Sequence, residues 1–564
     1  MTTLRNLPKS ASFTRWLTPD SRVPSIEEAK KVPEETVRRA RPVDGSFTWM
    51  RPEKRKEVQL AAVSEPAMRD LGLDPEESKT QEFLNVFSGQ EVIEDEQKGI
   101  YPWSQAYAGW QFGEWAGQLG DGRVVSLFES TNQKTGKRYE LQLKGAGLTP
   151  YSRFADGKAV LRSSIREALV SEHLNALGIP TTRALSLVQL PGTFARRYTM
   201  EECAIVCRMA ESWIRIGTFD FHRARGARDE MRKLADYCIS EVFQLDATAK
   251  DRYQQLYREI VTRNATTLGY WQAYGFMNGV LNTDNTSILG LSMDFGPFSF
   301  MDTFDAAYTP NHDDGLLRYS FKNQPSAVWW NMLRLGEDLG ELLGAGDLVD
   351  DETFKKDGLK QDQVQGVIKR AEEFIESQHD VFKEAFMMQY TKLMRARLGL
   401  KEERDSDNDD IFTPLLDTLQ DCELDYNVFF RNLSNVDLSK TDFAELIDAD
   451  RGFAPSKTTE EAAEAVTKWI QETYKPRLES EGTSEEDRRK LMNSVNPKFL
   501  LRTWLLDEVI KEATSKGSFD LYNTVQNMAL NPFQDSWGGD ADLEKRYTSP
   551  PAKAQKGIQC SCSS

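Results

Sequence analysis

Two short segments carry side chains that could act on a phosphate group. Asn282-Thr283-Asp284-Asn285 is followed nine residues later by Asp294-Phe295-Gly296. One aspartate can accept the proton of an attacking hydroxyl, while an asparagine and a second aspartate can hold Mg²⁺ on nucleotide phosphates. Here the aspartate and the asparagine are adjacent, whereas kinases of the ordinary type separate them by several residues. The pattern predicts metal-dependent phosphoryl-transfer chemistry in an unusual arrangement.

Residues that could bind phosphates lie upstream. Gly120-Asp121-Gly122-Arg123 precedes a predicted strand, and glycines there let backbone N–H groups approach a phosphate, although most such sequences are simple turns. Lys144 ends a predicted strand and enters a glycine turn, the position of the phosphate lysine in a kinase-type site, and Glu167 on the following helix is its candidate partner. An exposed lysine and a surface glutamate are the alternative, which the presence of the two aspartates disfavours.

Three further positions could complete the site. Arg208 ends an apolar strand, where a charge needs a partner, and Arg215 lies seven residues further on. A polyphosphate or a carboxylate would serve, since arginine binds both. Asp156-Gly157 could accept a hydrogen bond from an arginine or contact the nucleotide, or it could form an ordinary turn.

The elements that must position these residues follow from hydrophobic periodicity. Residues 124–129, 139–144, 184–190 and 204–209 read as strands, and 161–177 as an amphipathic helix. Residues 226–274 are strongly helical, as is most of the chain beyond residue 302. The order predicts an α+β, protein-kinase-like two-lobed fold with an additional, mainly helical C-terminal region. The predicted divisions are an N-terminal segment 1–23, an extension 24–100, a nucleotide-binding and catalytic core 101–345, a helical region 346–544 and a tail 545–564.

Composition narrows the choice of partners. The chain has 564 residues and a net charge of −17, with a pI of about 5.0. An acidic chain is a poor candidate for nucleic-acid binding, which needs basic faces, but a local basic cluster is enough for ATP. No apolar run approaches the ~20 residues of a membrane span. Six cysteines and four scattered histidines indicate neither a disulfide scaffold nor a structural zinc site.

The two ends of the chain have distinct compositions. Residues 1–23 contain four basic residues and one acidic residue, which fits either a mitochondrial transit segment or a frayed basic N-terminus. Residues 545–564 are predicted to form a flexible tail that carries Cys560 and Cys562. A disulfide from Cys562 to a more distant cysteine and two inert surface thiols are both open interpretations.

Long segments resemble a known family. Residues 107–123, 143–186 and 279–302, together with 311–335 and 425–434, resemble the selenoprotein O family, and the likeness extends over roughly residues 100–540. The resemblance implies a kinase-like fold that transfers AMP from ATP to Ser, Thr or Tyr hydroxyls of proteins, with Mg²⁺ or Mn²⁺, in mitochondria. It makes Asp284 the base and Asn285 and Asp294 the metal ligands. It also implies nucleotide contacts, or support for them, from Gly120, Gly122, Arg123, Lys144, Asp156, Gly157, Glu167, Arg208, Arg215 and Asp294.

Two other functions fit the same residues. A protein kinase would use this set to transfer the γ-phosphate, and only the family resemblance, not the motif, favours AMP transfer. A nucleotide-binding pseudokinase scaffold is the third candidate. It does not need a complete set of Asp284, Asn285 and Asp294, which therefore disfavours it.

Overall fold

An antiparallel sheet forms the centre of the N-terminal half. The computed structural model describes residues 1–448, 450–452 and 455–561. Within them the strands are β1 Phe47–Trp49, β2 Gln59–Val63, β3 Trp103–Gln105, β4 Ala108–Gln111, β5 Glu114–Gln118, β6 Val124–Thr131, β7 Arg138–Lys144, β8 Ala159–Val160, β9 Arg183–Arg196, β10 Met200–Ala210, β11 Phe276–Met277 and β12 Ser299–Phe300. The main sheet has the order β1-β3-β6-β7-β10-β9-β2, with β8 paired to β10, while β4–β5 and β11–β12 form separate two-stranded sheets.

The strand β7 is buried on both faces. Tyr139, Leu141 and Leu143 pack in the core, as the alternation predicts, but Glu140 and Gln142 on the opposite face are also buried. Buried polar side chains need hydrogen-bond partners. Gln142 accepts from Arg208 and donates to a serine of β6, so this polar face belongs to the interior instead of facing water.

Helices cover the sheet and form the rest of the chain. Before the catalytic segment they are α1 Phe13–Trp16, α2 Ile26–Lys31, α3 Glu34–Arg38, α4 Glu65–Leu71, α5 Gln81–Phe87, α6 Leu161–Ala176, α7 Ile216–Ala224, α8 Arg228–Tyr237 and α9 Arg252–Tyr274. After it they are α10 Gln324–Gly344, α11 Glu352–Asp357, α12 Val364–Arg397, α13 Thr413–Asp421, α14 Tyr426–Asn435, α15 Thr459–Trp469, α16 Lys475–Glu479, α17 Glu485–Val495, α18 Thr503–Lys516, α19 Asp520–Leu530 and α20 Ala541–Thr548. The result is a mixed α/β structure, which agrees with the predicted class at that level.

The helix α6 joins the sheet to the C-terminal helices. Ile165, Leu169, Val170 and Leu174 are buried along the predicted apolar face. This face packs on β9 and β10, and α18 and α19 pack against the same helix. Further along the chain α9, α10 and α12 pack together, so helices on both sides of the predicted division at residue 345 share one core.

The N-terminal segment is packed, which differs from the frayed N-terminus considered for residues 1–23, whereas the transit segment stays a prediction. Leu4, Leu7, Phe13 and Leu17 are buried, and the Phe13 ring stacks on a tryptophan of β3 with 4.5 Å between centroids. The backbone of Ser10 pairs with that of a β6 residue. The apolar residues between the basic ones account for the difference, because burying each contributes about 1.5–3 kcal/mol.

The C-terminal tail also differs from its prediction. Residues 541–548 are helical, and the buried Lys556 donates to the backbone carbonyl of Asp450. The backbone of Cys560 donates to Pro310 and accepts from His312, each at 3.0 Å. Backbone pairing of this kind holds residue 560 against the segment that follows the catalytic motif. Cys562 lies outside the described residues.

Candidate active site

The predicted site residues converge on one cavity of about 440 Å³ between the sheet, α6 and the catalytic segment. Of the sequence-predicted residues, those that line it are Gly120, Gly122, Arg123, Lys144, Asp156, Gly157, Glu167, Arg208, Asp284, Asn285 and Asp294. Arg215 stands behind this lining and contacts two of its members. Residues that are up to 174 positions apart in the sequence therefore face the same space.

The predicted pair of Lys144 and Glu167 is present. The lysine leaves the end of β7, and its Nζ lies 2.6 Å from Glu167 Oε2 on α6 and 3.3 Å from Asp294 Oδ1. Burial lowers the pKa of Lys144, and the two carboxylates oppose that shift. Burial alone would raise the pKa of Glu167, but the charges of Lys144 and Arg208 outweigh this effect and lower the pKa. The pair is thus held as a buried ion pair next to the cavity.

Both predicted arginines bind carboxylates. Arg208 Nη1 lies 2.9 Å from Glu167 Oε1 and 2.7 Å from Asp294 Oδ1. Arg215 Nη1 lies 2.6 Å from Asp294 Oδ2 and donates at the same distance to the backbone carbonyl of Asp284. Each guanidinium also lies over an aromatic ring, Trp213 at 4.3 Å and Tyr107 at 4.5 Å. Cation–π contacts of this kind fix the direction of a buried arginine.

Asp294 is the centre of this charge cluster. Its carboxylate contacts Lys144, Arg208 and Arg215. Burial would raise the pKa of Asp294, but these three positive charges hold it well below the usual range. The residue has a φ of +53°, a left-handed conformation that aspartate tolerates better than most residues. This conformation, followed directly by Phe295, places the carboxylate at the cavity wall.

Asp284 lies in a short 3₁₀ turn, Thr283–Asn285, and is buried. Its Oδ2 accepts a hydrogen bond of 3.2 Å from the Gln111 side chain, whereas Oδ1 is buried without a partner. Gly109 approaches so closely that a Cβ there would lie 2.8 Å from Oδ1. Burial raises the pKa of Asp284 to about 7, although the Gln111 hydrogen bond and the charge of Arg215 lower it. A carboxylate with this pKa is suited to accept a proton near neutral pH.

The glycine loop and the rim complete the cavity. Gly120 has a φ of +118° and packs directly on the Tyr151 ring, so only glycine fits there. Arg123 Nη1 donates to the backbone carbonyl of Lys158. Asp156 forms an ion pair of 2.8 Å with Arg197, one of the partners that the sequence left open, and its predicted contact with the nucleotide stays a prediction.

Sequence reasoning missed several contacts that shape the site. Gln111, Tyr107 and Trp213 are three such residues, because nothing in the local sequence links them to Asp284 or to the arginines. Thr283 is a further case: its hydroxyl donates to Asp220 on α7 at 2.6 Å and accepts from the backbone of Trp110 at 2.8 Å. Thr283 could have been identified from the sequence because it directly precedes Asp284 in the motif. The roles of Gln111, Tyr107 and Trp213 depend on how distant segments pack.

A cavity in which lysine and arginine side chains meet carboxylates at the ends of buried elements is typical of enzymes that act on phosphate-bearing ligands.

The profile of the protein adenylyltransferase SelO family matches residues 40–529. The chain is 46% identical to the mitochondrial protein adenylyltransferase SelO of Schizosaccharomyces pombe, over 100% of this chain and 99% of that protein. It is 34% identical to the corresponding mitochondrial protein of Saccharomyces cerevisiae, with the same coverage. It is 36% identical to the protein nucleotidyltransferase YdiU of Flavobacterium johnsoniae, over 92% of this chain and 94% of that protein.

The chain belongs to the protein adenylyltransferase SelO family. Membership confirms the predicted enzyme class, a nucleotidyltransferase that takes AMP from ATP. It also confirms the mitochondrial assignment, since both fungal relatives are mitochondrial. Among the described residues, no helix has the length and apolar composition that crossing a bilayer requires.

Proposed function

We propose that this protein transfers AMP from ATP to Ser, Thr or Tyr hydroxyls of other proteins, within a kinase-like two-lobed arrangement. The sheet with α6 would form the nucleotide-binding lobe, and the helices from α7 onward would form the second lobe. The main support is that Asp284, a buried carboxylate with a near-neutral pKa, shares one cavity with the Lys144–Glu167 pair and Asp294. A base, a phosphate-binding cation and a metal-binding carboxylate are the groups that this reaction needs.

Lys144, Arg123 and Arg208 are proposed to hold the phosphates. Each side chain lines the cavity, and each is mostly buried, so its charge acts at low dielectric constant. Gly120 and Gly122 would let the backbone approach a phosphate. Because Lys144 and Arg208 are also bound to carboxylates, the cluster is already ordered before the nucleotide arrives, which reduces the entropic cost of binding.

Asn285 and Asp294 are proposed to hold Mg²⁺, or Mn²⁺. The Asn285 amide nitrogen donates to the carbonyl of Val280, which leaves its amide oxygen as the atom for a ligand. The described residues contain no group of three His, Cys, Asp or Glu side chains that could hold a metal. Mg²⁺ needs only one or two protein ligands when substrate phosphates and water complete its shell. Such an ion would neutralise charge on the phosphates.

Asp284 is proposed to accept the proton of the acceptor hydroxyl. The hydroxyl oxygen would form a bond to the α-phosphorus of ATP, the bond from that phosphorus to the bridging oxygen would break, and pyrophosphate would leave. The hydrogen bond from Gln111 keeps the carboxylate oriented. The two alternatives considered from the sequence, attack on the γ-phosphorus as in a kinase and a pseudokinase scaffold without turnover, are less well supported, because the family is one of adenylyltransferases.

One experiment separates these three functions. The full-length protein is incubated with Mg²⁺ and ATP labelled at either the α- or the γ-phosphate, together with a mitochondrial protein extract, and modified proteins are measured by label and intact mass. Adenylyl transfer gives α-label and the added mass of AMP, and an Asp284→Asn variant should give neither. Label from the γ-position alone would show a kinase, and no label from either position would favour the scaffold.

A further inference from the structure

Apolar side chains are exposed to solvent beside the active-site cavity. Leu316 is 93% exposed, Leu317 is 40% exposed and Phe112, at the turn between β4 and β5, is 37% exposed. Leu317 and Phe112 also have φ values of +56° and +52°, left-handed conformations that cost about 1–2 kcal/mol for residues of this type. Two large apolar residues in strained conformations and exposed to water indicate a binding surface. We call Phe112 and Leu316–Arg318 the lip surface.

The lip surface is joined to the catalytic turn. The backbone N–H of Phe112 donates to Asn282 Oδ1 and to the Tyr319 hydroxyl, both at 3.1 Å. Tyr319 in turn donates to Asn282 Oδ1 at 2.7 Å, and its ring lies 5.2 Å from that of Phe112. Asn282 is two positions before Asp284, and Phe112 itself lines the cavity. Anything bound on the lip surface is therefore next to the proposed base.

Arg318 gives this surface a positive charge that no carboxylate of the described residues neutralises. Its guanidinium lies over the Trp330 ring at 4.8 Å and against Gly113, and its Nε is buried without a hydrogen-bond partner. Within the described part of the chain no Asp or Glu lies at ion-pair distance from it. Arg334, over the same ring at 5.0 Å, has a partner in Glu337 at 2.5 Å. The chain has 88 acidic and 71 basic residues, so acidic side chains outnumber basic ones. An arginine that nevertheless has no acidic partner is available to pair with a carboxylate of another protein.

We propose that the lip surface docks the acceptor protein, and that favoured acceptor segments carry an apolar residue and an acidic residue near the modified hydroxyl. The inference rests on the proposed AMP transfer, because the acceptor hydroxyl must come within reach of Asp284. Apolar contact with Phe112 and Leu316 would provide burial, and the pairing of Arg318 with a carboxylate would provide orientation. A second copy of this chain is the competing occupant.

The test uses a positional-scanning peptide library with one fixed Ser, Thr or Tyr, incubated with Mg²⁺ and α-labelled ATP. The wild-type protein should select Asp or Glu at one position and an apolar residue at another. Arg318→Glu should lower transfer to the acidic peptides by about tenfold or more, as expected for a lost charged hydrogen bond, and should shift the preference to Lys or Arg. Leu316→Ser should remove only the apolar preference. Arg39→Glu, which makes the same charge change at an exposed arginine of the N-terminal region, is the control and should keep the wild-type pattern.

Two further measurements on the same variants separate the possible failures. ATP affinity of Arg318→Glu and Leu316→Ser should match the wild type, since neither residue lines the cavity, and thermal unfolding of the same samples establishes that each variant is folded. If the wild type modifies neither the peptides nor the proteins of the mitochondrial extract, the proposed function fails and the docking inference with it. If it modifies extract proteins but no peptide, only the docking inference is overturned. If it modifies peptides without selectivity, or if Arg318→Glu keeps the acidic preference, the docking inference alone is overturned. Loss of self-association in the variants, measured by light scattering, would instead assign the surface to a second copy and also overturn it.

Discussion

Replacing Asp294 with asparagine removes the anion that three buried cations share. Lys144 and Arg208 would retain Glu167, at 2.6 and 2.9 Å, whereas Arg215 would retain only the backbone carbonyl of Asp284. Breaking a buried ion pair on one side costs about 3–5 kcal/mol, and the remaining partners favour the lower value of about 3 kcal/mol. Asparagine also tolerates the left-handed backbone at this position, so the substitution adds little strain.

The same variant should bind anions differently. Without Asp294 the cavity has excess positive charge, so metal-free pyrophosphate and ATP should bind more tightly than in the wild type, and Mg²⁺ should add no affinity. In the wild type Mg²⁺ should increase ATP affinity. Pyrophosphate at about 100 times its dissociation constant should restore about 2.7 kcal/mol, most of the lost stability.

The assay is urea unfolding and calorimetric ATP binding, each in EDTA and in Mg²⁺. Asp302→Asn is the matched control: it breaks a buried ion pair with Arg502, of 2.6 Å, away from the cavity. It should lower stability without changing ATP binding. If Asp294→Asn gains as much ATP affinity from Mg²⁺ as the wild type does, Asp294 is not a metal ligand. If its stability in EDTA is unchanged, the account of the charge cluster is wrong.

Three further outcomes are expected. Because burial raises the pKa of Asp284 from 3.8 to about 7, Asp284→Asn in EDTA should stabilise the protein by up to about 4 kcal/mol above pH 7, and by nothing below pH 4, where both the folded and unfolded states are protonated. A gain in urea unfolding that stays constant over this range would contradict the assignment. Lys144→Ala should raise the ATP concentration needed for half-maximal transfer, and Glu167→Ala should raise it less; wild-type kinetics for Lys144→Ala would exclude its phosphate role. Deleting residues 1–17 should lower the free energy of unfolding by about 5 kcal/mol or more, since it exposes a packed surface. An unchanged melting temperature would show that this packing adds no stability.

The sequence predicted best where a residue's direction follows from a regular element. Lys144 at the end of a strand and Glu167 on the apolar-faced helix after it were paired correctly, because the periods of strand and helix determine which way each side chain points. The strand and helix ranges around them also agree with the structure to within a few residues. The metal-binding and phosphate-binding roles of these residues remain predictions.

The two chain ends were harder to predict, because composition was the only signal available there. Residues 1–23 have the charge balance of a presequence, yet Phe13 stacks on a tryptophan of the sheet. The tail contains proline and lysine residues typical of mobile segments, yet Cys560 pairs through its backbone with residues 310–312. In both cases a few apolar or backbone contacts with a distant segment decide the structure, and composition does not record them.

By itself the sequence determined the chemistry that is available: an adjacent aspartate and asparagine with a second aspartate nine residues later, glycines before a strand, and cations at strand ends. Only the tertiary structure decided which of these groups meet. Segments far apart in the chain pack together, so Arg215 reaches Asp294 across 79 positions and Gln111 reaches Asp284 across 173. The physical reason is that local periodicity sets the direction of a side chain relative to its own element, whereas the packing of elements sets what lies opposite it.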